Sequence, residues 1–207
     1  MKGTKMPDYT IEKEVIENGF KYVAGVDEAG RGPLAGPVCA AAVILPPDTE
    51  IEGLNDSKKL SEKKREALYD VVIEKALAYD IQLVDQDVID EINILEATML
   101  AMTRAVENLS IPADYVIIDG NRVPSLLQTP AHAVVKGDAK SMSIAAASIL
   151  AKVTRDRLML SLAKDFPQYE FEKHKGYGTK LHCEKLLEFG PCPLHRKTFI
   201  KKIMDKK

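Results

Sequence analysis

Residues 23–38, VAGVDEAGRGPLAGPV, limit what this chain can become more than any other stretch. Small and β-favourable residues lead into two adjacent carboxylates, Asp27 and Glu28, and then into Gly30, Arg31, Gly32 and Pro33. Side chains alternate across a strand, so the two acids serve one site only if the pleat ends there. Gly30 and Gly32 permit irregular backbone and let main-chain N–H groups approach a ligand. Taken alone, the pattern equally fits a strand that enters a tight turn with solvated acids.

The rest of the chain alternates strand-like and helix-like segments. At 207 residues and 45% hydrophobic content it can bury one sizeable core. A short amphipathic helix at 11–19 precedes a strand at 21–28. The all-apolar stretch 37–45 reads as a strand covered on both faces and stops at Pro46-Pro47. Ser61 stands as the N-cap of a helix that follows the loop GLNDSKKLS. After a strand at 79–85, Asp87 caps a long helix to about 109, with Ile89, Ile92, Leu95, Met99, Met102 and Val106 on one stripe. A strand YVIID at 115–119, a short strand AHAVVKG ending at Asp138, and a long helix from about Ser141 complete the main body. A glycine-rich loop HKGYGT at 174–179, a helix near 180–189 and a basic end FIKKIMDKK follow, the last read as a partner-binding tail or, in preference, as a frayed end. Strands joined without long helices, then strand–helix alternation, describe an α/β sheet that starts antiparallel, adds parallel strands and carries helices on both faces.

The start carries charges throughout and lacks the apolar centre of a signal peptide. The three scattered cysteines, Cys39, Cys183 and Cys192, suit a reducing cytosol, so a cytoplasmic location is expected. The net charge of −2 hides an asymmetry: residues 1–135 hold 13 Lys/Arg against 23 Asp/Glu, and residues 136–207 hold 16 against 8. A basic third beside an acidic region fits a solvated face or a polyanion footprint.

Four acids end up at comparable places: Asp27 and Glu28 at the end of the first strand, Asp119 at the end of YVIID, and Asp138 after AHAVVKG. In open α/β sheets ligands collect at strand ends, where acids from separate strands can converge. Carboxylates that converge raise one another's pKa unless a hard cation neutralises them, and oxygen-only ligands suit Mg²⁺ or Mn²⁺. Each acid alone would equally serve as a cap or a surface residue.

DEAGRGPLAGPV at 27–38, NDSKKLS at 55–61, VIIDGN at 116–121, KGDAKSMSIAAASILAKVTRD at 136–156 and HKGYGT at 174–179 occur in an order that resembles the bacterial ribonuclease HII family. The resemblance implies a ribonuclease H-like mixed sheet with helices on both faces, as a catalytic domain over 1–165, plus a small helical C-terminal extension over 166–207. It implies a metal-dependent endoribonuclease that hydrolyses the RNA strand of RNA–DNA hybrids and nicks 5′ of ribonucleotides embedded in duplex DNA, leaving 3′-OH and 5′-phosphate through two Mg²⁺ or Mn²⁺ ions. Asp27, Glu28, Asp119 and Asp138 match its acidic quartet. Gly30, Arg31 and Gly32 match the loop that touches the ribonucleotide 2′-OH, and Tyr177 matches the residue that senses the RNA–DNA junction. Lys58 and the serines of 141–148 are lesser candidates for phosphate contact. Lys136, Lys140, Lys152, Arg155, Lys173, Lys175, Lys180, Arg196 and Lys197 are candidates for further phosphate contacts, many of them simply solvated. A monomer is expected.

Three other functions compete with this one. His174, His182, Cys183, Cys192 and His195 would make a zinc module, but their spacing fits no standard finger or ribbon. GRGPLAG would make a nucleotide cradle, but it lacks the GxxxxGK[ST] lysine. A non-catalytic nucleic-acid-binding protein has no use for the full acid quartet.

Overall fold

The computed structural model describes residues 6–205. Among these, five strands form one sheet: β1 (Val23–Ala29), β2 (Val38–Ile44), β3 (Ala78–Val84), β4 (Tyr115–Asp119) and β5 (Ala131–Val134), in the order β3-β2-β1-β4-β5. β2 is antiparallel to both β1 and β3, whereas β4 is parallel to both β1 and β5. The antiparallel start with parallel additions is thus the arrangement found. The helices are α1 (Thr10–Glu17), α2 (Glu62–Lys75), α3 (Gln86–Glu107), α4 (Met142–Leu162), α5 (Phe171–His174), α6 (Lys180–Phe189) and α7 (Lys197–Met204). None is long and apolar enough to cross a membrane, among the described residues.

Helices cover both faces of the sheet. Every residue of β2 is buried, because Cys39, Ala41 and Val43 meet α2 and α4 while Ala40, Ala42 and Ile44 meet α3. Small side chains on both partners bring α4 close to the sheet, and Gly25 brings it closest. A Cβ at Gly25 would stand 2.3 Å from the main-chain carbon of Ser143. The first turn of α4 therefore rests on the strand that carries Asp27. Ser141 caps that turn, accepting from the Ile144 N–H at 3.1 Å. The buried Glu12 of α1 accepts from Ser141 Oγ at 2.6 Å and from the Ser143 N–H at 2.8 Å. The Ser141 hydroxyl is spent on this anchoring and the Ser143 hydroxyl is buried inside the fold, so neither is available to a phosphate.

Three local expectations are corrected. Asp87 lies in the first turn of α3, and Asp85 holds the N-cap position. α3 is also broken at Asn93, whose φ of 67° lies where only glycine is at ease. Its Oδ1 accepts from the Leu95 and Glu96 N–H groups, so Asn93 caps a second helix. The apolar spacing is the same on both sides of the break and could not reveal it. Finally, the basic end does not fray over its described length: α7 runs to Met204, with Ile200 buried and Phe199 packed on the α3 side of the core.

Gly25→Ala is expected to destabilise the protein by about 3 kcal/mol or more, since main chain rather than a movable side chain meets the new methyl. Chemical denaturation checks this, and a variant as stable as the parent would contradict the close contact.

Candidate active site

The acids gather where β4 stops. β1 and β4 are in parallel register through Val26 and Ile118, so Asp27 and Asp119, one residue on, stand side by side on the α4 face. The pleat does not end between Asp27 and Glu28, contrary to the condition drawn from the sequence, because β1 continues to Ala29. Glu28 therefore points to the α3 face. Since β4 is finished at Asp119, no neighbouring strand separates the two faces there, and Glu28 reaches the same place round the open end.

Each acid is held by local chemistry. Asp119 Oδ1 accepts from the Gly137 N–H at 2.6 Å, which fixes the turn carrying Asp138 against the end of β4. That turn needs Gly137: a Cβ would meet Ile144 Cδ1 at 2.6 Å. Asp27 Oδ1 accepts from the Glu28 N–H at 2.7 Å, and the Ser148 hydroxyl bonds its carboxylate. Ser148 is in turn bonded to the Ser57 hydroxyl at 2.9 Å, which ties α4 to the loop bearing Lys58. Arg65 secures that loop from α2 by donating to the Ser57 and Leu60 carbonyls at 3.0 and 2.6 Å.

The electrostatics are strained in one direction. Burial, then Glu28, then Asp119 push the Asp27 carboxyl well above the ordinary range. Burial raises Glu28 as well, with Arg31 opposing and Asp119 adding to the rise. Asp138 is pushed up to about 6 by burial, then by Asp119 and Asp56. Asp56 is a fifth carboxylate that sequence reasoning missed, and it stands close enough to Asp138 to help raise it. Its only signal was its place in NDSKK, where it also caps the turn at Ser57–Lys59. Partial burial works against the Lys58 ammonium, but Asp27, Asp138, Asp56 and Asp119 outweigh it and hold Lys58 above the usual lysine value. Lys58 and Arg31 against five acids leave negative charge that a hard cation would offset. Among the described residues no three His, Cys, Asp or Glu side chains already close on a single ion-sized point. The donors are all oxygen, a set that fits Mg²⁺ or Mn²⁺.

A cleft of about 300 Å³ opens beside the acids, with Glu28, Arg31, Asp119, Asn121 and Arg122 on its polar side and Leu95, Met99 and Met102 beneath. A larger cleft of about 710 Å³, between the start of α1 and residues 48–53, contains none of the four acids.

Next to the acids runs the 30–37 loop, and its anchorage overturns one sequence expectation. Arg155 and Arg196 do not offer themselves to phosphate; both are fully buried. Arg155 donates to the carbonyls of Pro37, Ala35 and Lys175 at 2.9, 3.0 and 3.0 Å. Arg196 donates to those of Gly36, Arg31 and Gly30 at 2.9, 3.0 and 2.6 Å. The two glycines of GRG differ. Gly30 has φ 96°, and a Cβ there would strike Arg155 Nε at 2.2 Å, so the fold itself demands glycine. Gly32 has open space around it and is solvent-exposed. Tyr177 is 39% exposed, with Lys152 Nζ 5.5 Å and the Arg155 guanidinium 5.7 Å from its ring. In the tail cluster, both ring nitrogens of His174, His182 and His195 are engaged by main chain, Cys192 or each other.

The family model described as Ribonuclease HII matches residues 24–202. A ribonuclease HII of Endomicrobium trichonymphae is 59% identical over 191 residues, covering 92% of this chain and 91% of the relative. One from Idiomarina loihiensis is 63% identical over 177 residues, covering 86% of this chain and 94% of the relative. Among solved structures, the crystal structure of ribonuclease H2 from Pyrococcus horikoshii superposes with a TM-score of 0.74 at 31% identity, covering 90% of this chain and 98% of that one.

The raised carboxyl of Asp138 carries a stability signature. Between the unfolded value near 3.8 and about 6 the folded chain holds the extra proton, so this group favours folding at low pH and opposes it above about 6. In chelator, Asp138→Asn should therefore melt a few degrees above the parent at pH 7.5, and the gap should close as the pH falls from about 6 towards 4. A pH-independent gap would remove the electrostatic explanation.

Proposed function

The chain belongs to the ribonuclease HII family, whose members are metal-dependent endoribonucleases, and on that footing we propose that it cleaves the RNA strand of RNA–DNA hybrids and nicks duplex DNA on the 5′ side of an embedded ribonucleotide. The observation that carries this reading is the lateral pairing of Asp27 with Asp119, Glu28 and Asp138 close by, with surplus negative charge beside an anchored glycine loop. Asp27, Glu28, Asp119 and Asp138 are the residues that would hold Mg²⁺ or Mn²⁺. A pair of such ions, when bound, supplies activation of water and stabilisation of charge on the leaving 3′ oxygen.

The chain's own groups then bind and orient. Asp27 is the central acid, because it stands beside Asp119 and feels the charge of Glu28 as well. Asp138 orients the attacking water or completes the cation shell. Lys58, exposed and held charged by the acids, meets a backbone phosphate. Gly30, Arg31 and Gly32 read the sugar edge, where the 2′-OH separates RNA from DNA. Arg196 occupies the carbonyls of Gly30 and Arg31 from behind, so main-chain groups on the other side keep a set direction. The open space at Gly32 supports close approach of a sugar there. Tyr177 packs on the following deoxyribose and disfavours a second 2′-OH. The tail from residue 166 is, in this reading, a small helical extension whose task is to carry Tyr177 and Arg196. The exposed Lys136 and Lys140 and the partly exposed Lys152 remain candidates for phosphate contact.

A duplex with one ribonucleotide, incubated with the protein and Mg²⁺ or Mn²⁺, should be nicked 5′ of that ribonucleotide, and chelator should abolish the nick. Asp27→Asn and Asp119→Asn should lower the rate by roughly 100-fold or more, beyond what outer-shell partners of a metal usually cost, without lowering the melting temperature. Near-parental rates in either variant would defeat the assignment, and binding without any nick would favour a non-catalytic nucleic-acid-binding protein. Gly32→Ala should keep the parental melting temperature yet raise KM for the same duplex, whereas Gly30→Ala should lose stability outright.

A further inference from the structure

Three histidines with no part in the chemistry above are buried in the tail: His174, His182 and His195. Main-chain groups decide where each proton sits. The Cys192 N–H points at His195 Nδ1 at 3.0 Å, so His195 carries its proton on Nε2. That proton faces His182 Nε2 at 3.1 Å, which must be the acceptor. His182 therefore carries its proton on Nδ1 and donates it to the Tyr177 carbonyl at 3.0 Å. His174 is fixed in the same manner, accepting from the Gly176 N–H at 3.2 Å and donating to the Tyr169 carbonyl at 2.9 Å, and it stacks on His182 with ring centres 4.3 Å apart. A second proton on His182 or His195 would set two N–H groups against each other. Burial pushes both down to about 4, so both rings are neutral at physiological pH.

The chain of protons ends on Tyr177, and it begins one residue before Arg196. His195 bridges Ala35 of the 30–37 loop in an isolated antiparallel pair, and the Arg196 N–H donates to the Leu34 carbonyl at 2.8 Å. The same loop donates to the Tyr177 turn through the Leu34 N–H, which meets the Gly176 carbonyl at 2.8 Å. Adjacent residues thus serve both loops: Arg196 holds Gly30 and Arg31, and His195 acts through His182 on Tyr177.

We infer that His182, oriented by His195, is a positioning residue for Tyr177, and that the His195-Arg196 dipeptide sets the junction-reading turn in register with the glycine loop. The inference rests on the junction role proposed above for Tyr177. The Tyr177 carbonyl also accepts from the Thr179 N–H at 2.8 Å, so losing the donor from His182 leaves the turn closed but removes one of the two bonds that set the carbonyl's direction, and the ring shifts from its place over the substrate.

The test compares kcat/KM on a duplex with one ribonucleotide and on a long RNA–DNA hybrid. His182→Leu should lose about tenfold on the single ribonucleotide, the size of one hydrogen bond, and less on the hybrid. His182→Asn, whose amide can donate from the position of Nδ1, should regain most of that loss. In a Tyr177→Ala background His182→Leu should cost nothing further. Equal losses on both substrates, no rescue by asparagine, or losses that multiply in the double variant would each overturn the inference. If His182→Leu does not fold, His195→Gln, which keeps a donor towards His182, against His195→Leu makes the same comparison one link back. Tyr177→Ala alone separates the two claims: if it leaves the substrate preference intact, the junction role of Tyr177 fails, and the relay inference falls with it.

Discussion

Two guanidinium groups buried with no carboxylate at bonding distance among the described residues shape the functional half of this molecule. Arg155 and Arg196 each place three donors on main-chain carbonyls, and five of the six carbonyls belong to residues 30–37. Burial lowers both, and Arg155 adds to the effect on Arg196, yet even at about 9 Arg196 stays charged at neutral pH. A buried charge is tolerable only when its donors are satisfied. The loop supplies five of the six acceptors, so its shape and the charges depend on one another. Arginine suits this use because its planar fork offers several donors in fixed directions.

The consequence is a rigid edge beside a destabilised centre. Asp27, Glu28 and Asp138 are all raised by burial and by one another, and only Lys58 and Arg31 oppose them from nearby. The surrounding fold holds this cluster together through contacts that do not involve charge pairing. Gly25 seats α4 on β1, Gly137 seats the Asp138 turn on Asp119, and Glu12 anchors the first turn of α4. Stability is thus invested around the acids, and the acids themselves oppose folding above their raised pKa values until a cation offsets them.

Much of this was legible in the chain, and for physical reasons. An unbroken apolar run located β2, since it is buried on both faces, and the cap at Ser61 located α2; α4 and α6 begin where helices were expected, and there Ser141 and Thr179 accept from the N–H three residues on as Ser61 does. The acids were visible because each ends a strand or opens a helix. Asn93 was not, because a break that preserves apolar spacing leaves no trace in it. Arg155 and Arg196 were misjudged because a basic residue in a basic segment looks solvated, whatever carbonyls lie above it. Asp56 was passed over because a cap and a carboxylate beside Asp138 are spelled the same way.

Order along the chain, the type of each element and the identity of the acids follow from the sequence itself, since these depend on local backbone preferences and on the side chains each strand end presents. Which acids are neighbours, which face Glu28 takes, which arginines are buried and where the histidine protons sit were decided only by tertiary structure. Those outcomes depend on strands and loops far apart in sequence coming into register. No local preference records where β4 ends relative to β1, and that single offset is what lets acids from opposite faces of one strand meet.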